Sequence, residues 1–400
     1  MTDTPVRFHL LSFMPERNED EVLVGRPDSE SFAVFAADDA ALLRRMTEGM
    51  HPEDAAAWYE SVHGQSVDMP DFLATLAELG FLRRDGEDAA SVRAVRLQWL
   101  GRAMFSPVSF GCLAVIVVCW VLAILDHPDL APRPGQVFFT RSILLVQLAV
   151  LFGQLPWIGL HEASHVLAGR RLGLPSRLGV GTRLYFVVFE TRMNGLLTQL
   201  RRKRYLPILA GMAMDVFVIS GLGLLAFGLR RTDGAEPIVG RLALATAFPI
   251  LVRLSYQFLL FLQTDVYFVV ATALGCHDLH AAAQAMVRNR IWRLLRRPAR
   301  LVDEDQWTER DQRVARWYAP FFLAGAGVMF AVGGLVVFPI LVRVIHLVGQ
   351  SLTLSPLDAR FWDSLLFSAL NLAQFFFFGT VAVRNRMHAR RATGPSAKLP

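Results

Sequence analysis

The chain has 400 residues, of which 53% are hydrophobic and only 19% charged, with a net charge of +6. That balance lies outside ordinary soluble usage, so a plain cytosolic enzyme is excluded and an integral membrane protein is expected. The basic excess falls in arginine clusters beside apolar runs, which suits anionic lipid headgroups of the inner leaflet and not nucleic acid as partners.

The first hundred residues mix charged and apolar positions evenly and lack a basic start followed by an apolar core, so no cleavable signal peptide is expected. Residues 22–24 and 31–35 are short apolar runs separated by a turn-like Gly-Arg-Pro-Asp-Ser at 25–29, which reads as a β-hairpin. Three helical segments follow at 38–48, 52–63 and 70–79, the last capped by Asp68 and ended by Gly80. This order of elements resembles winged helices, and more narrowly the PqqD-like peptide-recognition domains. The resemblance implies a domain over residues 1–101 that takes up a leader peptide as an added strand on its hairpin edge. A regulatory winged helix or a structural cap are the alternatives.

Residues 108–125 form an uncharged apolar run long enough to cross a bilayer, with Arg93, Arg96 and Arg102 before it. A polar loop at 126–140 leads to a second span at 142–168. Near the end of that span stands Gly159-Leu-His-Glu-Ala-Ser-His-Val-Leu-Ala-Gly169, which contains His161, Glu162 and His165. Histidines at i and i+4 share one helical face and can reach one Zn²⁺, and the intervening glutamate can act as a base on water. Ionisable groups at membrane depth are costly without partners or a function, which favours a built site over chance. Arg170 and Arg171 follow, so the positive-inside rule puts this end and the N-terminal domain in the cytoplasm.

Residues 172–199 carry glycines and a β-branched and aromatic run at 184–189, and are expected to form a re-entrant β-hairpin beside the metal. Arg201-Arg-Lys-Arg204 precedes a third span at 205–229, which contains Asp215; a fourth at 242–262 contains Arg253. Arg253 reads either as a snorkelling side chain or as a partner of Asp215. Beyond it, residues 276–318 read as a basic amphipathic segment on the inner leaflet; His277 and His280, at i and i+3, could bind metal, but a surface role is the expectation. Two further spans, 319–342 and 365–383, and a basic tail give about six spans with both termini inside. Arg230, Arg231 and Arg241 are discordant, because they fall in an outer loop. Cys112, Cys119 and Cys276 fit neither a disulfide framework nor Cys-based zinc spacing and are expected to be buried apolar side chains.

A catalytic zinc needs three protein ligands, and the helix supplies two. Acidic residues at membrane depth are the candidates for the third: Asp215, Asp265 and Glu190. His161-Glu-Ala-Ser-His165 on a span, the later Gly211-Met-Ala-Met-Asp215 and the segment Gln263-Thr-Asp-Val-Tyr-Phe-Val-Val270 together resemble the site-2 protease family of intramembrane zinc metallopeptidases. The nearer likeness is to its peptide zinc metalloprotease branch, in which a Leu-Asp-Gly-Tyr-Tyr-Leu-Leu segment carries the third ligand. The resemblance therefore implies Asp265 as that ligand, with Val266 and Leu259-Leu260 departing from the family's Gly and Asn-Pro. It gives Asp215 a place in seating the substrate or supporting the ligands, and Arg253 shares that place only where it pairs with Asp215.

The fold expected is a mainly α, polytopic membrane bundle with a re-entrant hairpin, preceded by a small α+β winged-helix-like domain. Its parts are a recognition domain at 1–101, a metalloprotease core at 102–275, the basic segment at 276–318 and two C-terminal spans at 319–400. The function expected is a zinc endopeptidase of the cell membrane, in a bacterium, acting on a peptide or membrane-protein substrate. A non-proteolytic protein for peptide export or immunity, and an ion-coupled transporter using Asp215, Arg253 and Glu162, are the alternatives.

Overall fold

The computed structural model describes residues 6–15, 21–27, 31–83, 95–183, 186–193, 195–231, 236–304, 306–332, 334–335 and 338–392. The chain begins with three antiparallel strands, β1 (Ser12–Pro15), β2 (Glu21–Gly25) and β3 (Phe32–Ala36), in the order β1-β2-β3. The expected hairpin is thus β2 and β3, and the sequence reading missed β1, whose Phe13 pairs with Val24. Three helices follow: α1 (Ala37–Thr47), α2 (Pro52–His63) and α3 (Met69–Glu78). Pro52 opens α2 and Gly64, at φ 68°, closes it; the Asp68 carboxylate accepts the Asp71 N–H at 3.1 Å to cap α3. Val24, Leu43, Leu76 and Phe81 form one core of this N-terminal unit, and Leu42, Met46, Ala55 and Tyr59 form a second.

Helix α4 (Gln98–Met104) then leads to α5 (Pro107–Asp126), which starts on Ser106 as N-cap and Pro107 in its first turn. Helices α6 (Ile143–Gly153) and α7 (Leu155–Arg171) run on as one apolar stretch, broken at Gln154 where Pro156 begins the new helix. A two-stranded antiparallel hairpin, β4 (Ser176–Arg183) and β5 (Phe186–Met193), separates α7 from the long α8 (Arg201–Leu229). Helix α9 (Ile238–Tyr256) is followed by an irregular turn, then by α10 (Asp265–Leu274), α11 (Leu279–Leu294), α12 (Glu309–Val332), α13 (Phe338–Leu352) and α14 (Ala359–Ala392). Among the described residues six helices are long and apolar enough to cross a membrane, and α10 with α11, bent by 91°, would make a seventh.

Four expectations need correction. The fourth span ends at Tyr256, not at 262, because the chain unwinds there and Gln263 takes φ 54° before α10 begins. The fifth is split: α12 spans 309–332 and Val342 belongs to the separate α13. In the basic segment, Arg288, Arg290 and Arg293 of α11 are exposed, but Leu279, Ala282 and Ala283 pack against Ala315 and Tyr318 of α12. That face is covered by protein, and His280 lies within it, accepting from the Gln284 amide at 2.8 Å instead of facing solvent. Of the cysteines only Cys276 is buried; Cys112 and Cys119 lie on the outer face of α5. The discordant Arg230 has a partner, Asp129, at 2.9 Å in the loop after α5.

Candidate metal centre

Two antiparallel helices build the centre. On α7, His161 and His165 stand one turn apart with rings 4.9 Å apart, and both are buried. Facing them, α8 presents Pro207, Gly211 and Asp215, spaced by four and therefore in one stripe along that helix. Each residue of the stripe has a separate part. The Pro207 carbonyl accepts from His165 Nδ1 at 2.7 Å, and the Asp215 carboxylate accepts from His161 Nδ1 at 3.0 Å. At Gly211 there is no side chain, and none fits: a Cβ would lie 2.4 Å from His165 Nε2 and 2.5 Å from His161 Nε2.

In neutral rings these bonds select one tautomer. A carbonyl and a carboxylate can only accept, so each Nδ1 carries a proton and each Nε2 of the neutral rings presents a lone pair. The two Nε2 atoms are 3.2 Å apart, and Asp265 Oδ2 is 3.4 Å from each. That oxygen is buried and has no hydrogen-bond partner. Three electron-rich atoms thus converge in a space that an alanine would fill, and among the described residues this is the group of ligand atoms that could hold a metal ion. Donor arms of about 2.0–2.1 Å in a tetrahedral site imply edges of about 3.3–3.4 Å. The donor set, two imidazoles and one carboxylate, and its spacing therefore suit Zn²⁺.

Asp265 reaches the site through the unwound turn after α9. Thr264 Oγ1 donates to the Gln257 carbonyl at 2.6 Å, and the Gln257 side-chain oxygen accepts the Asp265 N–H at 3.0 Å. The turn thus ends with Asp265 in the first turn of α10, where a carboxylate is favoured by the helix dipole. At its other end α10 is held by Arg201 of α8, which donates to the carbonyls of Thr272 and Ala273.

Asp215 is fully buried, and its charge is met by Arg253 of α9, whose Nη2 and Nε both donate to it, the latter at 3.2 Å. Of the two sequence readings of Arg253 the pairing with Asp215 is therefore the one found. Asp215 lies on the Nδ1 side of His161, away from the converging atoms, so it holds the ring from behind, whereas Asp265 is one of those atoms. Glu190 falls in β5, and its side chain lies outside the described residues.

Glu162 follows His161 on α7, and its Oε2 is 2.8 Å from the hydroxyl of Thr191 in β5. The hairpin is pinned near this point: Ser176 Oγ sits 3.2 Å from the Val166 carbonyl, and a Cβ on Gly169 would strike Ser176 and Met193. A cavity of about 940 Å³ opens on His161, Glu162, His165 and Asp265. Sequence reasoning missed Pro207, Thr191 and Gln257, although Pro207, Gly211 and Asp215 recur at helical spacing and could have been read as one face. No family model, curated protein or solved structure matches the chain.

Proposed function

We propose that the chain is an intramembrane zinc endopeptidase that hydrolyses peptide bonds in or beside the bilayer. The observation that carries this reading is the convergence of His161 Nε2, His165 Nε2 and Asp265 Oδ2 beside a glutamate. His161, His165 and Asp265 would hold the zinc, which when bound would supply a Lewis acid for the scissile carbonyl and for water. Glu162 takes the water's proton and passes it to the leaving amine, and the Thr191 hydroxyl aims the carboxylate at that task. His161 and His165 are kept from rotating by Asp215 and Pro207, so the lone pairs stay pointed at one place.

A peptide must be extended to expose its carbonyl, because a helical backbone satisfies its own groups. The β4–β5 hairpin, joined to Glu162 through Thr191, supports pairing of such a strand beside the centre as a re-entrant element. The PqqD-like order of elements in the N-terminal unit supports capture of a precursor peptide there. The arginine distribution supports a cytoplasmic position for both termini, with anionic lipids against the exposed arginines of α11. The transporter reading has less support, since Glu162 bonds Thr191 while Asp215 and Arg253 bond each other, and the three form no continuous relay.

The test is cleavage of a membrane-tethered reporter by wild type and Glu162→Gln, with zinc measured in both. Loss of cleavage with zinc retained is expected; equal processing by both proteins would refute the peptidase and leave the non-proteolytic export or immunity role.

A further inference from the structure

The cavity at the metal centre is not closed by the helical bundle alone. Part of its lining comes from the N-terminal unit: Arg26 and Ser31 from the β2–β3 turn and Phe32 at the start of β3. The rest includes Met193, Leu196 and Ile208, so the space is mainly apolar with the converging donors and Glu162 among its walls.

The turn is seated tightly. Gly195, at φ 75°, lies so close to Pro27 that a Cβ would fall 2.7 Å from its carbonyl oxygen. A Cβ on Gly25 would fall 3.0 Å from the Thr198 methyl, and the Phe32 ring lies 6.3 Å from that of His277. Within the unit the turn is held by the Arg26 N–H to the Ser31 carbonyl at 3.0 Å and by Arg26 Nη1 to the Gly80 carbonyl at 2.7 Å. With this contact closed, the cavity still has about 940 Å³, within the range of preformed ligand pockets.

We infer that the N-terminal sheet is a fixed wall of the catalytic cavity, and that Phe32 forms a subsite for an apolar side chain of an extended peptide whose backbone lies at the metal centre. The inference rests on the peptidase reading above and adds a selectivity element to it. The unit acts where the bond is cut, and its substrate enters without displacing it.

Two zinc-directed probes separate this inference from the reading beneath it. Acetohydroxamate binds a zinc centre with no side chain, whereas a leucine-containing peptide hydroxamate adds one. Purified, zinc-loaded full-length protein is expected to bind both, and Phe32→Ala to weaken the leucyl probe by about tenfold, as for part of one buried apolar contact, while leaving acetohydroxamate unchanged. Phe32→Leu is expected to restore most of the loss. Unchanged binding of both probes in Phe32→Ala, or loss of both with zinc still bound, overturns the subsite but not the zinc centre. Failure of both probes to bind wild type overturns the two together.

The wall itself is tested by cysteines at Gly25 and Thr198, within disulfide reach, in a Cys112→Ser, Cys119→Ser background. The oxidised and reduced forms are expected to bind the leucyl probe alike. If oxidation abolishes binding and reductant restores it, the N-terminal unit is a lid that must swing away, and the fixed wall is wrong.

Discussion

Replacing Gly211 by alanine is the sharpest perturbation of the centre. The added methyl would stand 2.4 Å from His165 Nε2 and 2.5 Å from His161 Nε2. A carbon needs about 3.4 Å from such a nitrogen, so both rings or α8 must yield by roughly 1 Å. Metal sites tolerate displacements of only about 0.2 Å. The yield needed is several times larger, so Gly211→Ala is expected to lose zinc by at least about 10³-fold, or about 4 kcal/mol. Overpacking costs about 1–3 kcal/mol of stability, against a gain of about 0.5–1 kcal/mol from replacing glycine in a helix. Gly221, on the same helix with nothing within 4 Å, provides the control: Gly221→Ala keeps only the gain. The assay is zinc affinity by chelator competition with thermal unfolding of both variants. Zinc bound as tightly by Gly211→Ala as by Gly221→Ala would refute the claim that this space is where a metal sits.

Other expectations concern the surrounding groups. Arg253→Met leaves the Asp215 charge buried and unmet and should destabilise the protein by roughly 3 kcal/mol, measured by chemical or thermal unfolding. Adding Asp215→Asn to Arg253→Met should recover part of that loss, and fully additive losses would show that the two do not act as a pair. Asp265→Asn should weaken zinc binding at least tenfold, by equilibrium dialysis, because a neutral amide replaces the third donor. Thr191→Val should lower cleavage of a tethered reporter by roughly tenfold with zinc content unchanged, since the hydroxyl orients Glu162 and is not a donor to the metal.

The sequence made some of this legible and hid the rest for identifiable reasons. The His161-Glu162-His165 helix is readable because a period of 3.6 puts residues four apart on one face, and α1, α2 and α3 are readable from Pro52, Asp68 and the glycines that end them. The spans declared themselves by apolar length alone. Strand β1 was lost because its pairing with β2 is set by tertiary contact. The early end of α9 was hidden because apolar residues resume directly after Gln257: Gln257 and Thr264 turn the chain by side-chain bonds that hydropathy does not register. The face of α11 against α12 could not be told from a lipid-facing one, since protein interior and bilayer select the same residues. Composition likewise said nothing of Pro207, whose contribution is a backbone oxygen.

One consequence attaches to α8. It supplies the void at Gly211, the acceptors that fix both imidazoles, and, through Arg201, the grip on the helix that carries Asp265. Every atom that converges on the centre is therefore referenced to a single apolar helix. The inclination of such a helix follows the thickness of the surrounding bilayer. A change of tilt carries those atoms together and leaves their spacing unchanged, so zinc affinity measured in nanodiscs of short and long acyl chains is expected to be the same, and a difference would show that the atoms are not held by α8 alone.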